Sequence, residues 1–163
     1  MENEAVSNSG PVIHLSEIDL LNAFNIFKKI VIPEEVSNEL KKRKVDIPQK
    51  IKILQLRSES KDFVKILTNQ QGLDSGESEA ISLTLQEKAN YFLTDDLDAR
   101  NVAEDFNIEV HGTMGIILRA FREKLLNKPE VIKKIRELKT ISSLFITQDL
   151  IDETINSIEK FRD

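Results

Sequence analysis

Five short apolar runs set among stretches of helical spacing constrain this chain more than any other feature. Ala5-Val6-Ser7, residues 29–32, residues 50–56, residues 91–94 and residues 108–110 read as strands. Strands that alternate with helices need crossover connections, so the expected fold is α/β with a mainly parallel sheet. In such sheets the functional crevice lies beyond the carboxyl ends of the strands. Asn8 follows the first run and Asp95-Asp96 follows the fourth, so both are expected there.

The connecting segments carry recognisable start signals. Asn8-Ser9-Gly10-Pro11 reads as a turn cluster, and residues 12–27 as two helical pieces broken near Glu17-Ile18-Asp19. Pro33, with Glu34 and Glu35 behind it, suits the first turn of a helix running to about Arg43. Residues 62–67 read as a short helix. Residues 72–76 form a loop from which Ser75 or Gly76 would cap a helix over 77–88, with Glu79 closing a capping box. Further helices are expected over 97–106, from Gly112-Thr113 to about Leu126 with Thr113 as cap, from Pro129 to about Leu138, and over 148–161.

At 163 residues, 40% of them hydrophobic and 31% charged, the chain has the size and composition of one globular domain spanning 1–163. There is no cysteine, which excludes a disulfide, a thiolate nucleophile and Cys-ligated zinc. With only two histidines as well, a bound dication needs oxygen ligands, which favours Mg²⁺ or Mn²⁺ over zinc. Met1-Glu2-Asn3-Glu4 lacks the basic start of a secretory signal, and no apolar run approaches the roughly 18 residues of a membrane span. A soluble cytoplasmic protein without membrane association is expected. The net charge of −5 argues against a nucleic-acid coating protein, but not against a nuclease whose acids are neutralised by metal.

Four acids stand out. Glu77 falls at 100° per residue in the middle of the arc formed by Ala80, Ile81, Thr84 and Leu85. A carboxylate in a buried stripe is unusual; equally, a glutamate in a first turn can simply complement the helix dipole. Glu39 flanks Val36 and Leu40 and can face the sheet edge, although a lone helix glutamate is more often solvated. Asp95 and Asp96 follow a strand and precede a helix, so one can cap while the other faces a metal. Gly112-Thr113-Met114-Gly115 lacks the Gly-Lys-Ser/Thr ending of a phosphate loop. His14 and His111 read as structural, and no Ser–His–Asp arrangement has supporting context.

Several runs resemble the PIN-domain family. They are residues 5–13, Val31-Ile32-Pro33-Glu34-Glu35-Val36, Glu39-Leu40, Ser75-Gly76-Glu77-Ser78-Glu79-Ala80-Ile81, Leu93-Thr94-Asp95-Asp96 with Ala99-Arg100, and Gly112-Thr113-Met114-Gly115. Each motif is weak alone; their order and spacing are more specific. The resemblance is closest to a prokaryotic PIN-like subfamily related to the ribonuclease toxins of toxin–antitoxin pairs. It covers residues 5–126 strongly and a C-terminal helical extension over 127–163 loosely. It implies a three-layer α/β/α fold with helices on both faces of the sheet, and an acidic cluster binding Mg²⁺ or Mn²⁺. By position Glu39 matches the second acid, Glu77 the third, and Asp95 or Asp96 the acid after the fourth strand. The first acid's place is taken by Asn8, which removes one negative charge.

The expected function is metal-assisted hydrolysis of RNA, with Glu39, Glu77, Asp95 and Asp96 as metal ligands and Asn8 completing the catalytic set. Asn8 or Ser9 would orient the attacking water. Substrate contacts are assigned to Ser9, Thr94, Thr113, Arg119 and Arg122, with Lys41-Lys42-Arg43-Lys44 as a further basic run that usually marks a solvated face. The rival is a catalytically weakened PIN-like module that binds RNA or protein, favoured by Asn8. A nucleotide-binding regulator is a third reading, without a phosphate loop to support it. The resemblance also implies a homodimer and a small antitoxin partner, for which residues 116–126 and 150–158 offer apolar helices.

Overall fold

The structure is a computed structural model that describes residues 3–162; Met1, Glu2 and Asp163, which fall within the expected domain of 1–163, lie outside the described residues. Ala5, Val6 and Ser7 are consecutive and all are buried. Successive strand side chains point to opposite faces, so this strand has to be covered on both sides. It is β1 (Glu4–Ser7), and the others are β2 (Lys29–Ile32), β3 (Ile51–Ile53), β4 (Tyr91–Leu93) and β5 (Glu109–His111). They form one parallel sheet in the order β3-β2-β1-β4-β5, with Val6 in register with Val31 on one side and Phe92 on the other.

That order fixes the place of the site. From β1 the chain steps outward through β2 to β3, then returns across the sheet to β4 and steps the other way to β5. The direction reverses between β1 and β4, the point at which the crossovers diverge and leave a crevice. The two strand ends are tied there, the Asn8 amide donating to the Leu93 carbonyl at 2.8 Å.

The helices are α1 (Ser9–Glu17), α2 (Glu34–Lys42), α3 (Ser58–Gln71), α4 (Ser75–Glu87), α5 (Leu97–Asp105), α6 (Thr113–Arg122), α7 (Lys128–Thr140) and α8 (Gln148–Lys160), with a 3-10 turn at Leu21–Ile26. α4 packs on β1, β4 and its neighbours α2, α3 and α5, whereas α6 packs on α1, the 3-10 turn and α7. The architecture is the expected α/β/α arrangement. Val131, Ile135 and Leu138 of α7 and Ile151, Ile155 and Ile158 of α8 recur at helical spacing and join the same buried cluster as the sheet. No helix among the described residues is long and apolar enough to cross a membrane.

Local chemistry moved several boundaries. Asn8-Ser9-Gly10-Pro11 is not a turn: Asn8 caps α1, and Gly10 and Pro11 sit in its first turn, where the missing proline N–H is of no consequence. Pro33 is the N-cap of α2 and not its first residue. The strand expected over 50–56 shrinks to β3, and the helix expected over 62–67 extends to α3, which ends at Gly72 with φ of 71°. α6 stops at Arg122, well before Leu126, with Lys124 left-handed beyond it.

α4 is capped neither by Ser75 nor by Gly76. Asp74 is the cap, and Glu77 closes the box. Glu79 instead accepts from the Glu35 amide at 3.2 Å and links α4 to α2. Because α4 is covered by several neighbours, its buried set is wide and built from small residues such as Gly76, Ser78, Ala80 and Ser82. Leu85, expected in the stripe, is exposed.

Candidate functional site

A crevice of about 390 Å³ opens at the reversal point, and the carboxylates of Glu39, Asp74, Glu77, Asp95 and Asp96 all line it. Asn8, Ser9, Gly10, His14 and Thr94 complete its walls, and residues 143–145 form a rim. No lysine or arginine is among the lining residues. Five acids lining one open crevice, with a histidine as the sole basic side chain, make a strongly negative site.

Each acid is positioned differently. Asp95 is held: its Oδ1 accepts from the Thr113 amide at 2.7 Å, and its Oδ2 accepts from the Thr113 hydroxyl and lies 2.6 Å from His14 Nδ1. Burial alone would raise its pKa, but the hydrogen bonds from His14 and Thr113 outweigh burial and hold it below the usual carboxylate range. Asp96 caps α5, accepting from the Ala99 amide at 2.8 Å. The alternatives left open by the sequence therefore separate: Asp96 is the cap, and Asp95 is the partly buried partner of Thr113 and His14.

Glu77 accepts from the Asp74 amide at 3.2 Å, and Asp74 accepts from the Glu77 amide at 2.8 Å. Burial, then the nearby charge of Asp74, pushes the Glu77 carboxyl from 4.5 up to about 7; Asp96 and Asp98 add to this, and the Asp74 hydrogen bond opposes it. The two readings of Glu77 thus coexist, since it supports the helix start and also faces the acidic crevice. Glu39 is half-buried on α2, and its carboxylate makes no hydrogen bond or ion pair among the described residues. A Cβ built on Gly76 would stand 3.6 Å from Glu39 Oε2 and 3.7 Å from Asp74 Oδ1, so these carboxylates flank one small open space that glycine leaves free.

The neutral wall is equally ordered. Asn8 is 6% exposed; its Oδ1 accepts from the Ser9 amide at 3.0 Å and its Nδ2 donates to the Thr94 hydroxyl at 3.3 Å. The Thr94 hydroxyl also accepts from the Asp96 amide at 3.1 Å. Ser9 is buried against the crevice. Gly112 must lack a side chain, because a Cβ there would lie 2.9 Å from Asp95 Oδ1 and 3.2 Å from Arg100 Nη2.

Three expected substrate residues are not brought to the crevice. Arg119 points to the amino end of the sheet, where it bonds Asn3, pairs with Glu123 and lies over the Phe27 and Tyr91 rings. Arg122 borders a small apolar hollow with Leu118, Phe121 and Phe161. Thr113 is fully buried; it neither caps α6, whose cap is Gly112, nor offers a face to substrate, because both its donors are spent on Asp95. Residues 41–44 are exposed at the far end of α2 and do not line the site.

Sequence reasoning missed Asp74, His14 and the rim. Asp74-Ser75-Gly76-Glu77 carries the capping-box spacing, so Asp74 was readable. His14 sits between the buried Ile13 and Leu15, and only its contact with Asp95, 81 residues away, reveals it. The rim loop between α7 and α8 is anchored by Ser143, whose amide and hydroxyl both donate to Glu17 at 2.8 Å. That contact leaves no sequence signal.

A family model described as PIN domain (DUF3368) matches residues 4–160, nearly the whole chain. The chain belongs to the PIN-domain family. This is a nuclease fold, and the acids of this PIN domain stand at the carboxyl ends of its strands. Among solved structures it is similar to a PilT N-terminus domain protein from the hyperthermophilic archaeon Sulfolobus solfataricus P2, with a TM-score of 0.54 and 19% identity, over 72% of this chain and 92% of that one. At that identity the likeness speaks for the fold alone. No curated protein matches the sequence.

The donor set suits a hard dication. All five acids offer oxygen, Glu39 has no competing partner, and the space beside Gly76 is the kind of cradle that a methyl group would fill. Among the described residues no group of three or more histidine, aspartate or glutamate side chains stands close enough together to hold a metal ion. An ion such as Mg²⁺, which keeps several of its waters, requires only one or two direct carboxylates, with the others reached through water.

Proposed function

We propose that this PIN domain is a ribonuclease dependent on Mg²⁺ or Mn²⁺. The observation that carries the reading is the convergence of Glu39, Asp74, Glu77, Asp95 and Asp96 on one crevice without a balancing lysine or arginine. Glu39 and Glu77, with the free edges of Asp74 and Asp96, would hold the ion. When bound, the dication supplies an acidified water and neutralises charge on the attacking and leaving oxygens of the phosphodiester. Asp95 is kept ionised by Thr113 and His14, so its charge stays in the site whatever the state of Glu77. The Ser9 hydroxyl would orient the water from the crevice wall, whereas Asn8 is engaged in holding the β1 and β4 ends together.

Asn8 is also the observation that favours the second reading, a module that binds RNA or protein with little catalysis, because it leaves the site one charge short. Cleavage of a labelled single-stranded RNA in Mn²⁺, in Mg²⁺ and in EDTA separates the two. Metal-dependent cleavage that EDTA stops and Mn²⁺ restores supports the nuclease; RNA binding without cleavage supports the module. Toxin-type action with a small antitoxin, in the cytoplasm and as a homodimer, belongs to the same proposal. Of residues 116–126 and 150–158, Ile116, Ile117, Ala120, Ile151, Ile155 and Ile158 are spent on this chain's own core, and Leu125 and Leu150 are the large apolar side chains left exposed for such a partner.

The raised Glu77 pKa gives a pH signature. A carboxylate must be ionised to bind a cation, so below about pH 7 binding has to displace its proton. Mn²⁺ affinity should rise with pH until about 7 and level off above it, and Glu77→Gln should flatten the profile. For the metal-free protein the sign is reversed. The folded chain holds the Glu77 proton to higher pH than the unfolded one, so stability present below about 4.5 is lost as pH climbs through about 7. Denaturant unfolding with and without Mn²⁺ across this range checks both trends.

A further inference from the structure

Beside the acidic crevice lies a second cavity of about 450 Å³, and Asp95, Leu144 and Phe145 are walls of both. Phe145 is 91% exposed, the most exposed of the large apolar side chains among the described residues, although it stands on a loop anchored through Ser143 to Glu17. Leu150, at 44% exposure, continues the apolar side of the cavity. Arg100 also lines the cavity; its guanidinium rests against Gly112 and makes no hydrogen bond or ion pair among the described residues. An aromatic ring and an unpaired guanidinium therefore line this second cavity, in which Asp95 is the one carboxylate.

We propose that this second cavity is a nucleotide subsite for the residue adjoining the scissile phosphate, its base stacked on Phe145 and its phosphate paired with Arg100. The proposal rests on the ribonuclease reading and names how the strand is held. Three observations favour a nucleotide over an apolar ligand. The cavity adjoins the crevice, sharing Asp95, Leu144 and Phe145 as walls, so a single strand can pass from one to the other over these residues. Its charge differs from the first: it has one carboxylate, Asp95, already bonded to Thr113 and His14, and an unpaired arginine that suits a phosphate, where the crevice has five carboxylates that suit a metal. Aromatic stacking is the contact that single strands use without regard to sequence, because every base has a π-face. The volume is ample for one nucleotide and falls in the range of small-ligand sites.

The test uses the full chain carrying Glu77→Gln, so that the strand stays uncut, and a short single-stranded RNA with a fluorescent base analogue. Adding Phe145→Ala should weaken binding by roughly tenfold and abolish the stacking-dependent quenching, while Phe145→Trp restores both. Arg100→Gln should weaken binding and lower the slope of log affinity against log salt by about 0.7, the loss of one phosphate contact to a single strand. An oligonucleotide of the same length with abasic sites should be insensitive to Phe145→Ala. Equal affinity and quenching with and without Phe145→Ala overturns the subsite, as does failure of the parent to bind. A change only in self-association overturns it too, since Phe145 would then serve a second copy of this chain.

Failure of the subsite and failure of the nuclease are distinguishable. If wild-type protein cleaves RNA and Phe145→Ala leaves KM unchanged, the subsite falls and the nuclease stands. If Phe145→Ala weakens binding but no variant cleaves, the subsite stands and the nuclease falls.

Discussion

Glu77→Gln should reduce RNA cleavage by about 100-fold or more while leaving the protein folded and, at pH 8, at least as stable as before. The two halves of this expectation come from different parts of the same side chain's surroundings. Glutamine retains the oxygen that accepts from the Asp74 amide and is itself a capping-box residue, so the start of α4 survives. It also removes the charge that Asp74, Asp96 and Asp98 repel and that burial disfavours. What is lost is an anionic ligand. A cleavage assay paired with thermal unfolding at pH 8 reads both effects. Cleavage that persists at the parent rate would remove Glu77 from the metal site.

Asn8→Asp should have the opposite sign, tightening Mn²⁺ by about tenfold and raising cleavage with it. The structure allows the change. Asn8 Oδ1 already accepts from the Ser9 amide, which an aspartate does equally well, and the Thr94 hydroxyl that now accepts from Nδ2 can turn and donate instead. The added charge faces a crevice holding five others, so without metal it should destabilise the fold by about 1 kcal/mol and raise the Glu77 pKa further. With metal the balance reverses, because each ligand charge adds to the attraction for a dication. Thermal unfolding of Asn8→Asp with and without Mn²⁺ should therefore show a larger metal-induced rise in Tm than the parent. An equal rise would mean that Asn8 stands outside the metal's reach.

How much of this was legible in the sequence depends on the range of the interaction. The strand runs were readable because a strand buried on both faces is nearly continuous in apolar residues, as Lys29–Ile32 is. The place of the site followed once a parallel sheet was accepted, since Asn8 and Asp95 each close a strand. Glu77 was readable because it breaks a local pattern, and Asp74 could have been, by its capping spacing. Arg119 and Arg122 were misplaced because basic residues on a helix carry no label for which end of the sheet they face. Arg119 is drawn away by Asn3, Phe27, Tyr91 and Glu123, partners scattered through the chain. Thr113 looked like a helix cap because threonine commonly is one; its hydroxyl is taken by Asp95, 18 residues earlier. His14 and Phe145 gain their meaning only from contacts made across the fold.

A Mn²⁺ titration followed by electron paramagnetic resonance, at pH 8 on wild type and on Glu39→Gln with Glu77→Gln, tests the shared-ion claim most directly. Saturable uptake by the wild type at low-millimolar concentration or tighter, absent from the double variant, is the expected result. Saturation that is unchanged in the double variant, or uptake that never saturates in the wild type, would contradict a dication held between Glu39 and Glu77.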